Sequence, residues 1–163
     1  MADERLIVRA APGPAGPAVV DGVDEERIRL LVERFYGAAR RDDLLGPVFA
    51  AAVPDERWPQ HLETIRAFWS SALLRTGGYG GRPLPAHLGL PGLEDAHFLR
   101  WLALFQEAAR QTFGPEAASA VVERAERMAN SFRLAIRMQR GESTAWLGPI
   151  SAPEAGPPRA GDA

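Results

Sequence analysis

Two imidazoles carry most of the chemistry open to this chain. Three histidines and no cysteine occur among its 163 residues. His61 opens a strongly apolar stretch, and His87 follows the proline-bounded turn Pro83-Leu84-Pro85-Ala86-His87-Leu88. A neutral imidazole can shuttle a proton, donate a hydrogen bond or ligate a metal. The absence of cysteine removes disulfides, thiolate ligands, iron–sulfur clusters and covalent attachment of a c-type cofactor. His61 and His87 are too far apart in sequence to form a zinc motif on one helix. Phe35, Tyr36, Trp69 and Trp101 can line a pocket between them. Opposed imidazoles across an apolar pocket suit a planar metal cofactor, haem, better than a hydrolytic centre.

Each residue also has a plainer reading. Pro83 and Pro85 restrict the backbone ahead of His87 and can aim its ring, with Leu84, Leu88 and Leu90 supplying apolar contacts. Taken alone, His87 reads as an exposed loop histidine in a Pro/Gly-rich segment. His61 shares a helical face with Ile65 and Trp69, which suits the mouth of a ligand pocket or a helix boundary in water. Tyr36 and Trp101 carry donors that need partners when buried, whether a ligand or the protein itself. His97 reads as packing or surface. The pairs Glu25-Glu26 and Asp42-Asp43 read as capping or solvated carboxylates. Gly77-Gly78-Tyr79-Gly80-Gly81 lacks the Lys-Ser/Thr of a phosphate loop. No Gly-x-Ser-x-Gly elbow and no Glu-x-x-His di-iron motif occurs.

The elements that must position these side chains read as helices throughout. Asp24 can cap a helix whose apolar stripe is Ile28, Leu31, Val32, Phe35 and Ala39. A short turn is expected from Leu44 to Ala52. A second long helix starts near Asp55 and carries His61, Ile65, Phe68, Trp69 and Leu73. A third spans about Leu93 to Phe113 and stops at Gly114-Pro115, where glycine ends one helix and proline suits the start of the next. The last runs from Glu116 to Arg140. The expected fold is all-α, because no segment alternates as a strand does.

The 16 glycines and 14 prolines are clumped rather than spread. They mark disordered extensions at 1–22 and 142–163, flanking a domain at 23–141. Leu6-Ile7-Val8 and Trp146 can dock locally. A net charge of −2 leaves no electrostatic footprint for nucleic acid or an anionic membrane. No apolar run approaches the ~20 residues of a membrane span, and no signal peptide is visible, so the expected address is the cytoplasm.

Several pieces, in order, resemble the truncated haemoglobins. They are Phe35-Tyr36, Leu45-Gly46-Pro47-Val48-Phe49, Trp58-Pro59-Gln60-His61 and Phe68-Trp69. The later Pro83-Leu84-Pro85-Ala86-His87-Leu88 and Phe98-Leu99-Arg100-Trp101-Leu102-Ala103-Leu104-Phe105 are similar to group III of that family. The resemblance covers about residues 24–140. It implies a two-over-two helical sandwich around haem b, with His87 as the iron ligand. It further implies Tyr36, His61 and Trp101 as the distal polar set, and Phe35, Phe49, Ile65, Phe68 and Trp69 as pocket walls. Leu84 and Leu88 join the cofactor contacts, and Arg66, Arg75 and Arg82 are candidates to hold the propionates. The implied ligands are dioxygen, NO and CO, with a reductase of unknown identity as partner. Strong retention of oxygen by two donors favours oxygen or NO redox chemistry over bulk transport. A peroxidase-like haem enzyme is one rival. A haem-free helical interaction module with proline-rich tails is another, from a different class.

Overall fold

The computed structural model describes residues 19–77, 79–81 and 87–154. Among them lie five α-helices and one 3₁₀ turn, and no strand. The first helix, α1 (Glu25–Arg41), starts where Asp24 accepts the backbone N–H of Arg27 at 2.8 Å. Acidic Glu25 and Glu26 sit at its positive end, and Arg40 and Arg41 at its negative end. Its buried face is Ile28, Leu31, Val32, Phe35, Tyr36 and Ala39, one stripe at the helical period.

The stretch expected to be a turn contains a helix, α2 (Gly46–Ala52). Pro47 lies in its first turn, where a missing N–H costs nothing. Asp42 sets the bend before it by accepting the N–H groups of Leu44 and Leu45 and the Nε of Arg100. Gly46 is required here, since a Cβ would lie 2.8 Å from the Arg40 carbonyl oxygen. A 3₁₀ turn at Asp55–Arg57 then leads into α3 (Trp58–Leu74), which ends at Arg75 in the left-handed conformation. His87 and Leu88 are helical.

The remaining helices are α4 (Asp95–Thr112) and α5 (Pro115–Gln139). His97, read from sequence as packing or surface, helps to start α4 through its Nδ1, which accepts the backbone N–H of Glu94 at 3.2 Å. Helix α1 packs on α3 and α4, and α4 packs on α5, giving two helix pairs in two layers. Ile28, Leu31, Leu73, Leu102, Phe105 and Val121 are fully buried between them. Polar ties link the helices both within a layer and between layers. Ser70 donates to the Glu25 carboxylate at 2.6 Å, and Arg124 to the Ala72 carbonyl at 2.6 Å.

Residues 142–154, assigned by sequence to a C-terminal tail, include a segment held along α5. Asn130 both donates to the Ile150 carbonyl and accepts its N–H, at 2.8 and 2.9 Å. Glu126 accepts the Ala152 N–H, and Arg133 donates to the Gly148 carbonyl. Trp146 does not dock; it is 97% exposed, and Ile150 and Ala152 pack on the core instead. Leu6-Ile7-Val8, the rest of 1–18 and residues 155–163 lie outside the described residues.

Candidate ligand-binding site

Adjacent positions on α1 bring Phe35 and Tyr36 into the interior at the junction with α2, α3 and α4. The Tyr36 ring meets Phe35 edge-on at 4.7 Å, Phe49 of α2 at 5.7 Å, and His61 of α3 at 6.4 Å. Trp101 of α4 approaches Phe35 at 5.3 Å and stacks on Phe105 at 5.1 Å. Trp69 lies 4.9 Å from Phe105, and Phe68 lies 5.3 Å from Trp69. Ile65 is half-buried against this cluster's core. The His87 ring lies 4.6 Å from Phe132 of α5, and Leu88 is half-buried beside it in sequence. Leu84 and Arg82 lie outside the described residues. Arg66 is paired with Glu63 at 2.7 Å, and Arg75 is exposed at the end of α3.

Electrostatics link the two imidazoles. Burial pushes the His61 pKa below its ordinary value, and the charge of His87 pushes the same way. His61 is therefore held neutral, with one ring nitrogen as donor and the other as acceptor. Burial pushes the Tyr36 hydroxyl upward, which keeps it protonated and able to donate.

The polar atoms of this cluster face accessible space. Among the described residues, every fully buried side-chain nitrogen and oxygen has a hydrogen-bond partner. Yet the Tyr36 hydroxyl, the His61 imidazole and the Trp101 indole N–H have no protein partner among those residues. Each must border accessible space rather than protein, since a wholly enclosed orphan would be costly. The donor set also suits haem. Among the described residues no three of His, Asp and Glu converge as a metal cage. A single imidazole can hold an iron whose other ligands come from a macrocycle, and flat aromatic walls suit that macrocycle.

Sequence reasoning missed three aromatic neighbours. Trp58 touches both Tyr36 and His61, at 6.1 and 5.2 Å. It lies one helical turn before His61, a spacing that places both on one face and was open to notice. Phe105, one turn after Trp101, carries the same signal. Phe132 carries none, because only the packing of α5 brings it to His87. A separate cleft of about 330 Å³ lies between the start of α4 and the end of α5. Its lining carboxylates Glu94, Asp95 and Glu142 balance Arg133, Arg137 and Arg140.

No family model matches the chain. It is 37% identical over 113 residues to the group 3 truncated hemoglobin ctb of Campylobacter jejuni, spanning 68% of this chain and 89% of that protein. It also superposes on the crystal structure of a group III truncated hemoglobin from Campylobacter jejuni with a TM-score of 0.67 at 35% identity. That match covers 73% of this chain and 95% of the other. With its paired helical layers and these two matches, the chain belongs to the group III truncated haemoglobins.

Proposed function

We propose that the protein binds haem b through His87 and takes a diatomic ligand on the side of Tyr36, His61 and Trp101. Haem supplies the iron that binds dioxygen, NO or CO and that exchanges electrons with a reductase. The observation that carries this reading is the convergence of three polar groups on one aromatic cluster with no protein partner among the described residues. Phe35, Phe49, Ile65, Phe68 and Trp69 would form the walls and Leu88 would add an apolar contact; Leu84, expected beside it, lies outside the described residues. Tyr36 stays protonated and Trp101 can only donate, so both favour a ligand that gathers negative charge. Each such hydrogen bond is worth about 1.5–3 kcal/mol. Two of them slow release by orders of magnitude, which suits oxygen or NO redox chemistry better than unloading.

Absorption spectra of the purified chain with haem, in ferric, ferrous and carbonmonoxy forms, test the reading directly. A Soret band with a carbonmonoxy shift is expected in the wild type, lost or altered in His87→Ala. Failure of the wild type to take up haem stoichiometrically would leave a haem-free helical module.

A further inference from the structure

We propose that Trp58 is the movable wall of this site and that Arg40 holds it closed, so that ligands enter and leave at the corner between α1 and α3. The inference rests on the haem reading above. Trp58, the first residue of α3, is buried, with one set of contacts inward to Tyr36, Phe49 and His61. The Arg40 guanidinium sits over the same ring, 4.2 Å from its centroid. Arg40 in turn pairs with Asp55 at 3.0 Å, and the Asp55 side chain is almost wholly in solvent. Arg40, which lies over the Trp58 ring, is itself partly exposed to water. Phe35 and Phe105, by contrast, are held in the core of the helix layers and carry no such charged cover among the described residues.

The backbone next to Trp58 is loosely anchored as well. Neither α2 nor the 3₁₀ turn carrying Asp55 contributes a fully buried residue. Segments with few buried contacts open at low free-energy cost. An exposed ion pair adds little, so the stacked guanidinium is the larger restraint on Trp58. A wall of this kind is a transport barrier. It slows entry and exit alike and cancels from the equilibrium constant, whereas the donors Tyr36 and Trp101 act on exit and affinity.

The test is carbon monoxide and dioxygen binding kinetics in haem-loaded wild type, Arg40→Ala, Arg40→Lys and Asp55→Asn. Arg40→Ala is expected to raise entry and exit rates together by about three- to tenfold, with affinity nearly unchanged. Asp55→Asn should change them by less than about twofold. Fluorine NMR of the 5-fluorotryptophan-labelled chain without added haem gives an independent readout. The Trp58 signal, assigned with Trp58→Phe, should shift or broaden in Arg40→Ala while those of Trp69 and Trp101 hold. Unchanged rates in a protein with a normal Soret band would overturn the proposal, as would a change in exit rate alone. If the wild type takes up no haem, the functional reading fails first, and an unmoved Trp58 signal would then overturn the restraint by Arg40.

Discussion

At the scale of single residues, the site separates groups that donate from groups that enclose. Tyr36 is buried, protonated and without a protein acceptor among the described residues, which is why its hydroxyl is proposed as a ligand donor. Tyr36→Phe removes that donor and little volume. In haem-loaded protein it should speed dioxygen dissociation by about ten- to a hundredfold. Stopped-flow release measures this, and an unchanged off-rate would remove Tyr36 from the distal set. The side chains themselves were legible, because His61, Ile65 and Trp69 share a helical face and Phe35 lies on the stripe of α1. Their lack of partners was not legible, since it depends on everything packed around them. His97 makes the same point in reverse. Its sequence context suggests nothing specific, yet its ring accepts the first N–H of the α4 cap.

Among the elements, α4 and α5 are joined by a charge pair that sequence reading overlooked. Arg133 lies in the middle of α5, 6% exposed, and grips Asp95 with two bonds of 2.6 and 2.7 Å. Hydrogen bonds from Arg133 and then Arg137 hold the Asp95 carboxyl down at about 2. An unfolded aspartate titrates near ~3.9, so folding favours the charged form. The stabilisation is complete above about pH 5 and is lost as pH falls through about 2. Allowing for solvent screening at the partly exposed carboxylate, it amounts to about 1–2 kcal/mol. Asp95→Asn should lose at least that much at neutral pH, because Arg133 is left buried without its counter-charge. The variant should also show a flatter loss of stability between about pH 4 and 2. Urea unfolding across that range decides it; parallel curves for both proteins would mean that Asp95 contributes nothing. Helix positions themselves were largely readable from caps, stripes and the Gly114-Pro115 break. The helix at Gly46–Ala52 was not, because a seven-residue helix with no fully buried residue leaves no periodic stripe.

For the whole molecule, the C-terminal segment acts as an outer strap on α5 rather than as part of the aromatic site. Removing residues 147–163 frees Glu126, Asn130 and Arg133 of their backbone partners and uncovers apolar surface near Ile150. The expected cost is about 2–4 kcal/mol in denaturant unfolding, with an unchanged carbonmonoxy spectrum once haem is bound. A truncated chain as stable as the full one would show that these bonds only replace bonds to water. Among the described residues no helix is long and apolar enough to cross a membrane. The sequence by itself determined what local physics controls: which segments become helices, where Asp24 and Gly114 bound them, and which faces turn inward. Its ordered motifs also carried the family. Only the tertiary structure decided which distant residues meet. Phe132 reaches His87, Arg133 reaches Asp95, and Arg40 backs Trp58 because helix layers cross at angles that no local pattern encodes. Burial, and with it the protonation of Tyr36 and His61, follows from those crossings, since desolvation depends on every neighbour at once.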